Sequence, residues 1–305
     1  MSPTRRGRLL RLAGGLLLLA ALGFLARTLV AQWHEVRALW PGPRLLVPLL
    51  GLGLAYGGAL FLLAESWHRI LQAQVLQTGA KVPRHRSYLS QTATQVARYL
   101  PGNVAHILGR ALWLRGSGLS DAALARATVT ELLVTPTGAL LALALLAPLL
   151  PAEVIAPLPP ALRLLPLSLA LVALLLAPRV GPFRSLARRL CLPLLLSALF
   201  MLGLGAGFAV VCALLGPVPV VPAMVAGLLA WIIGYATPGV PGGLGLREAA
   251  LVALLSAAGQ DRDLALLASL LFRLVTTVGE LAMFAAGWGL ARLLRAVPAE
   301  RADRR

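Results

Sequence analysis

A chain of 305 residues that is 59% hydrophobic, only 13% charged and of mean hydropathy +0.83 lies outside the soluble globular range and in the polytopic membrane class. Its net charge of +17 is almost wholly arginine, Lys81 being the single lysine, and the basic residues cluster at the ends of apolar segments, which argues for the positive-inside rule and against nucleic-acid binding. Cys191, Cys212 and the scattered His34, His68, His85 and His106 have no metal-ligand spacing, so no metal centre and no cofactor are expected.

Arg5, Arg6, Arg8 and Arg11 precede an apolar run over about 9–31. It is longer than a signal-peptide core and no small-x-small cleavage site follows, so it reads as an uncleaved first span with the N-terminus inside. Trp33, Trp40, Pro41 and Pro43 mark an outer loop at 32–43. Residues 44–64 return to the inner side, where His68, Arg69, Lys81, Arg84, His85 and Arg86 make a basic loop. Residues 87–114 are broken at Tyr99-Leu100-Pro101-Gly102-Asn103 into arms of about 14 and 12 residues, each too short for ~30 Å of hydrocarbon. Ser120 and Asp121 then cap a span over 122–148.

A proline-rich outer loop at 148–160 carries no Lys or Arg, residues 161–177 cross back, and Arg179, Arg184, Arg188 and Arg189 mark the inside again. Residues 191–215 cross outward to the uncharged Gly216-Pro217-Val218-Pro219. Residues 223–258 dip in and return, and a last span over about 264–294 ends inside among Arg292, Arg295, Arg301, Arg304 and Arg305.

The stretch from Tyr235 to Glu248 places Pro238 and Pro241 with Gly239, Gly242, Gly243 and Gly245 between apolar arms at 223–237 and 246–258. Proline removes backbone donors and glycine admits angles that other residues resist, so the helix stops and restarts at Leu246 with open N–H groups. Irregular backbone at membrane depth persists only where protein buries it or a wet cavity receives it, which makes this segment the first candidate for a site. Both breaks read as re-entrant hairpins, the first from the cytoplasmic side and the second from outside; two short crossings of a thinned bilayer have the same parity and stay the alternative. The expected fold is all-α: one polytopic transmembrane domain of about eight hydrophobic segments, six full spans plus two re-entrant broken-helix hairpins.

The two breaks resemble each other. Tyr99, Pro101, Gly102, Gly109 and Arg110 match Tyr235, Pro238, Gly239, Gly245 and Arg247, with the same nine-residue offset from proline to arginine. Each hairpin precedes a span with Leu-Val-Thr-x-x-Gly, at Leu133 to Gly138 and at Leu274 to Gly279. Entered from opposite faces, they make an inverted repeat, about 44–148 and 191–294, whose broken helices meet near the midplane and frame a substrate site.

Arg98, Arg110, Glu131, Arg247, Glu248, Arg273 and Glu280 lie in or beside apolar stretches, where an ionised group costs about 2.5 to 3.5 kcal/mol on insertion. Arg273, Thr277 and Glu280 form one helical stripe, and Thr128, Glu131 and Thr135 another. Either the arginines and glutamates pair and lock helices together, or they meet a ligand. Beside the breaks, Arg110 and Arg247 suit a phosphodiester, because a guanidinium is a planar fork of donors that stays charged and a restarting helix adds a positive dipole end. Glu248 reads as a dipole-matched cap or a ligand, Asn103 as a cap, and Tyr99, Tyr235 and His106 as packing or site residues. No Gly-x-Ser-x-Gly occurs, and Gly242-Gly243-Leu244-Gly245 lacks the Lys-Ser/Thr of a phosphate loop, so neither that hydrolase chemistry nor an ATP-driven pump is expected.

Arg98-Tyr99-Leu100-Pro101-Gly102-Asn103-Val104, Gly109-Arg110 and Pro241-Gly242-Gly243-Leu244-Gly245-Leu246-Arg247-Glu248 together resemble the transmembrane-region family of lysylphosphatidylglycerol synthases, flippase-like integral membrane proteins, over nearly the whole chain. The resemblance implies an inner-membrane bundle with re-entrant segments that moves a lipid between leaflets, as in multiple peptide resistance factors. Those two-part proteins carry a soluble C-terminal aminoacyltransferase domain; this chain stops at Arg305 without one, so lysylphosphatidylglycerol synthesis is not expected.

The expectation is a non-enzymatic translocase of a phosphate-bearing lipid in the bacterial or archaeal cytoplasmic membrane, with both termini cytoplasmic. Arg110, Arg247 and Arg273, with Arg98 nearby, hold the headgroup; Glu131, Glu248 and Glu280 balance their charge or meet a headgroup amine. An intramembrane enzyme acting on a lipid-linked group and an accessory protein without transport are the alternatives.

Overall fold

Runs rich in leucine and alanine satisfy their own backbone groups as helices, the form a chain must take in hydrocarbon. In the computed structural model, which describes residues 42–78, 82–99, 105–151, 181–237 and 245–296 with positions 23, 27 and 30, every element among the described residues is helical. Among the described residues four helices are long and apolar enough to cross a bilayer: α1 (Leu46–Thr78), α4 (Asp121–Leu146), α5 (Gly181–Leu215) and α8 (Arg262–Ala296). The chain is an all-α, multi-pass membrane protein. The predicted spans at 9–31 and 161–177 lie outside the described residues, apart from three positions of the first.

Two pairs of shorter helices sit between these. The first is α2 (Arg84–Thr94), which tightens into a 3-10 turn at Gln95–Tyr99, followed by α3 (Ala105–Trp113). The second is α6 (Val220–Ala236) and α7 (Leu246–Ala257). At 1.5 Å per residue α2, α3 and α7 are roughly 17, 14 and 18 Å long and α6 about 26 Å, each less than the hydrocarbon thickness. Pro101 and Gly102 in the first break, and Pro238, Gly239, Pro241, Gly242 and Gly243 in the second, lie outside the described residues. Gly245 does not. Its φ of 79° is in the left-handed region, and the next residue, Leu246, starts α7 where the sequence predicts the restart.

The structure corrects two predicted loops. Helix α1 continues past residue 64 to Thr78, because Trp67, Ile70 and Leu71 extend its buried seam and Glu65 pairs with Arg69 one turn on at 2.7 Å. His68 and Arg69 are therefore helical, and Arg84, His85 and Arg86 open α2. Helix α5 likewise starts at Gly181, so Arg184, Arg188 and Arg189 ride on it. The predicted cap is present: the Ser120 hydroxyl accepts the Ala123 N–H at 3.2 Å. Cys212 packs in the main core, whereas Cys191 is exposed.

Helix α8 is the most enclosed of the four long helices, packed against α1, α2, α5 and α7. Its contact with α1 is backbone on backbone: a Cβ on Gly279 would fall 2.5 Å from the Gly53 carbonyl oxygen and 2.7 Å from the Gly57 nitrogen. A Cβ on Gly138 of α4 would fall 2.6 Å from the Ser197 Cβ of α5. The two glycines of the Leu-Val-Thr-x-x-Gly motif thus permit the closest approach of one long helix to another, as small residues do in membrane bundles. Gly279→Ala is expected to destabilise the chain by about 1 to 3 kcal/mol, the usual cost of overpacking. Thermal unfolding of the purified variant in detergent checks it, with Gly58→Ala as control because a Cβ there meets nothing within 4 Å.

Candidate functional site

Proline at position 136 lies inside α4 and has no N–H, so the carbonyl of Leu132, four residues earlier, loses its helical donor. Tyr235, at the end of α6, supplies one: its hydroxyl donates to the Leu132 carbonyl at 2.9 Å. The same ring stacks on Trp231 one turn back, centroids 4.9 Å apart. Tyr235 thereby pins the arm before the second break to the helix after the first. Tyr235→Phe is expected to cost about 0.5 to 1.5 kcal/mol. Pro136→Ala returns a helical donor to Leu132, so the double variant should lose less than the sum of the two single changes, as read from thermal unfolding of the four chains.

Beside this junction lies a cavity of about 60 Å³, lined by residues of both broken pairs and the long helices around them. Arg98 comes from the 3-10 end of α2, His106 and Arg110 from α3, Glu131 and Thr135 from α4, Trp231 and Tyr235 from α6, and Arg247 from the first turn of α7. Leu63 of α1 and Phe200 of α5 add apolar wall. Four of the seven residues assigned to substrate by sequence, Arg98, Arg110, Glu131 and Arg247, face this one space. Glu248, Arg273 and Glu280 are buried but do not line it.

The stripe predicted on α8 is buried, with Arg273, Thr276, Thr277 and Glu280, and that on α4 is buried at Thr128 and Glu131 and half-buried at Thr135. The charges sort into pairs. Arg110 donates to Glu131 and Arg98 to Glu280, each tying a broken pair to a long helix, while Arg273 Nη1 lies 3.7 Å from Glu248 Oε1. Four arginines against three glutamates leave one positive charge in excess. Arg247 carries it: no carboxylate of the described residues lies within 4 Å of it, and it feels Arg273 and Arg98 as well as Glu248.

Buried polar atoms in the wall also keep spare capacity. Glu131 Oε2, Arg110 Nε and His106 Nδ1 have no hydrogen-bond partner among the described residues. Buried donors and acceptors are normally satisfied, so a wall of this kind can meet polar groups that enter it. A half-buried guanidinium in the first turn of a helix, with no carboxylate partner among the described residues, is chemically suited to an anion, and the aromatic face of Trp231 and Tyr235 offers the apolar side of the same chamber. Sequence reasoning overlooked Trp231 and Phe200; the i, i+4 spacing of Trp231 and Tyr235 was the signal available for the first. Among the described residues no group of His, Cys, Asp and Glu is placed to hold a metal ion.

A family described as the lysylphosphatidylglycerol synthase TM region matches residues 9–283. No curated protein and no solved structure matches the chain.

Proposed function

The chain belongs to the lysylphosphatidylglycerol synthase transmembrane-region family, a family tied to lipid modification or translocation, and from that membership we propose that it is a non-enzymatic translocase moving a phosphate-bearing lipid between the leaflets of the cytoplasmic membrane. One observation carries the reading: Arg247 reaches a chamber framed by two broken helix pairs without a carboxylate partner among the described residues. The headgroup phosphate takes that guanidinium and the open N-terminus of α7, while the acyl tails stay in lipid.

The packing supports an inverted repeat as the frame. Helix α4 meets α5 at Gly138 and α8 meets α1 at Gly279, so the last helix of each half packs on the first helix of the other. Helix α2 leans on α8 as α6 leans on α4. With both termini on the cytoplasmic side, the α2–α3 pair enters from the cytoplasm and the α6–α7 pair from outside, and rocking of one half against the other exposes the chamber to each face in turn.

The purified chain in vesicles containing a fluorescently labelled phosphatidylglycerol tests this. Label in the inner leaflet should become accessible to an impermeant quencher faster than in protein-free vesicles; equal rates reject translocation of that class. His106, buried in the chamber with Nδ1 unpartnered among the described residues, favours a second reading, an intramembrane enzyme acting on a lipid-linked group. A recovered lipid of altered mass selects the second reading over the first.

A further inference from the structure

Helix α2 buries polar side chains where a membrane helix normally buries apolar ones. Ser87, Ser90, Gln91, Thr94 and Gln95 are each at most 9% exposed and recur at i, i+3, i+4, i+7 and i+8, so they stand on one face. Three hydroxyls in this region turn back on the helix, Ser90 donating to the Ser87 carbonyl, Thr92 to Leu89 and Thr94 to Ser90. The amides do not. Gln91 Oε1 and both amide atoms of Gln95 have no hydrogen-bond partner among the described residues. Unsatisfied amides in a low-dielectric interior are costly, and water is the small partner that satisfies them without side chains of its own.

Each end of the file carries a carboxylate. At one end Glu65 accepts from Tyr88 at 2.7 Å and pairs with Arg69 and Arg84, the exposed guanidinium at the start of α2. His68 Nδ1 lies 3.0 Å from Ser87 Oγ, and Trp67 Nε1 donates to Ser90 Oγ at 3.1 Å. At the other end the file runs into Arg98, which lines the chamber and donates to Glu280. Helix α6 holds the corresponding place in the second half and has no Ser, Thr, Asn or Gln over 220–236. The fold therefore does not need a polar face at that place, and the one on α2 has another use.

We infer that this file is a hydrated proton path joining water at the Glu65 end to the Glu280 carboxylate, and that proton exchange at Glu280 drives the movement of the headgroup. The inference rests on the translocase reading above. A proton from water on the outer face binds a Glu280 carboxylate oxygen, neutralises it and weakens its hold on Arg98, which lines the chamber. Its departure along the file to water at the Glu65 end re-forms the ion pair, and nothing is oxidised or reduced. Among the described residues Arg98 from the end of α2 donates to Glu280 and Tyr56 of α1 feels its charge, while Arg247 and Glu248 of α7 and Arg273 of α8 interact with one another beside them. A proton suits the file better than a metal cation. Water hydrogen-bonded to the hydroxyls and amides relays it between two end carboxylates, whereas a hard cation needs six or more converging oxygens.

Two experiments decide it. In vesicles of phosphatidylethanolamine and phosphatidylglycerol with labelled phosphatidylglycerol and an internal pH dye, a gradient of about one pH unit, equivalent to a factor of about 10, should speed lipid movement by up to that factor with parallel proton flux. Gln91→Leu with Gln95→Leu should abolish the acceleration and keep the gradient-independent rate. Equal rates with and without the gradient, an undiminished response in the double variant, or acceleration by sodium alone overturns the inference while leaving the translocase reading in place. Separately, Gln95→Cys in a chain with Cys191→Ser and Cys212→Ala should react with a charged thiol reagent, and Leu89→Cys should not. Failure of Gln95→Cys to react overturns the path even in a preparation that moves no lipid, a result that by itself rejects the translocase reading.

Discussion

Replacing Arg247 by glutamine is expected to slow lipid movement by about 10- to 100-fold, the range given by loss of one charge-assisted hydrogen bond of roughly 1.5 to 3 kcal/mol. The reason is the charge count of the chamber. Of the arginines in and beside it, three are paired with glutamates, Arg98 with Glu280 and Arg110 with Glu131 in the chamber wall and Arg273 with Glu248 behind it. Arg247 has no carboxylate partner among the described residues, so under the proposed function removing it takes away attraction for the headgroup without stranding a buried carboxylate. The folded state should be spared, with an unchanged elution profile and unfolding temperature. Arg247→Lys should recover part of the rate, because an ammonium restores the charge but not the planar fork. A well-folded Arg247→Gln chain that moves lipid at the wild-type rate removes the guanidinium from the mechanism.

The opposite outcome is expected one helix away. Arg110 and Glu131 are 4% and 9% exposed and pair with each other between α3 and α4. Arg110→Leu alone leaves Glu131 charged and buried, and breaking such a pair from one side costs about 3 to 5 kcal/mol. The chain should aggregate or unfold many degrees earlier in detergent. Arg110→Met with Glu131→Leu removes both charges at similar volume, so stability should return to near wild type, as apolar replacement of a whole buried pair often allows. Rescue of stability without rescue of lipid movement assigns the pair a part in the chamber beyond locking two helices. Failure of the double variant to recover stability contradicts the pairing itself.

Much of the architecture was legible because one physical rule dominates it. A backbone in hydrocarbon must satisfy itself, so long apolar runs become helices, and prolines and glycines mark where they stop. Ser120 at the start of α4, Leu246 at the start of α7 and the glycine with positive φ before it follow from local chemistry alone. The basic loops did not. Arg69 and Arg188 look like loop residues in a linear reading, yet they ride on helices that run past the apolar core, since a long cationic side chain can sit on a helix end and still reach water.

The amino-acid sequence by itself determined an all-α membrane protein, its family, the restart of a helix at Leu246 and the seven charges that need a reason, because insertion cost and backbone accounting act residue by residue. Only the tertiary structure decided which charge meets which. Arg98 finds Glu280 across 182 positions of sequence, and Tyr235 finds the carbonyl that Pro136 leaves open 103 positions away. Such pairings depend on where whole helices come to lie, and that is set by backbone contacts such as Gly279 against Gly53 and by the packing of the full bundle, which no local pattern encodes.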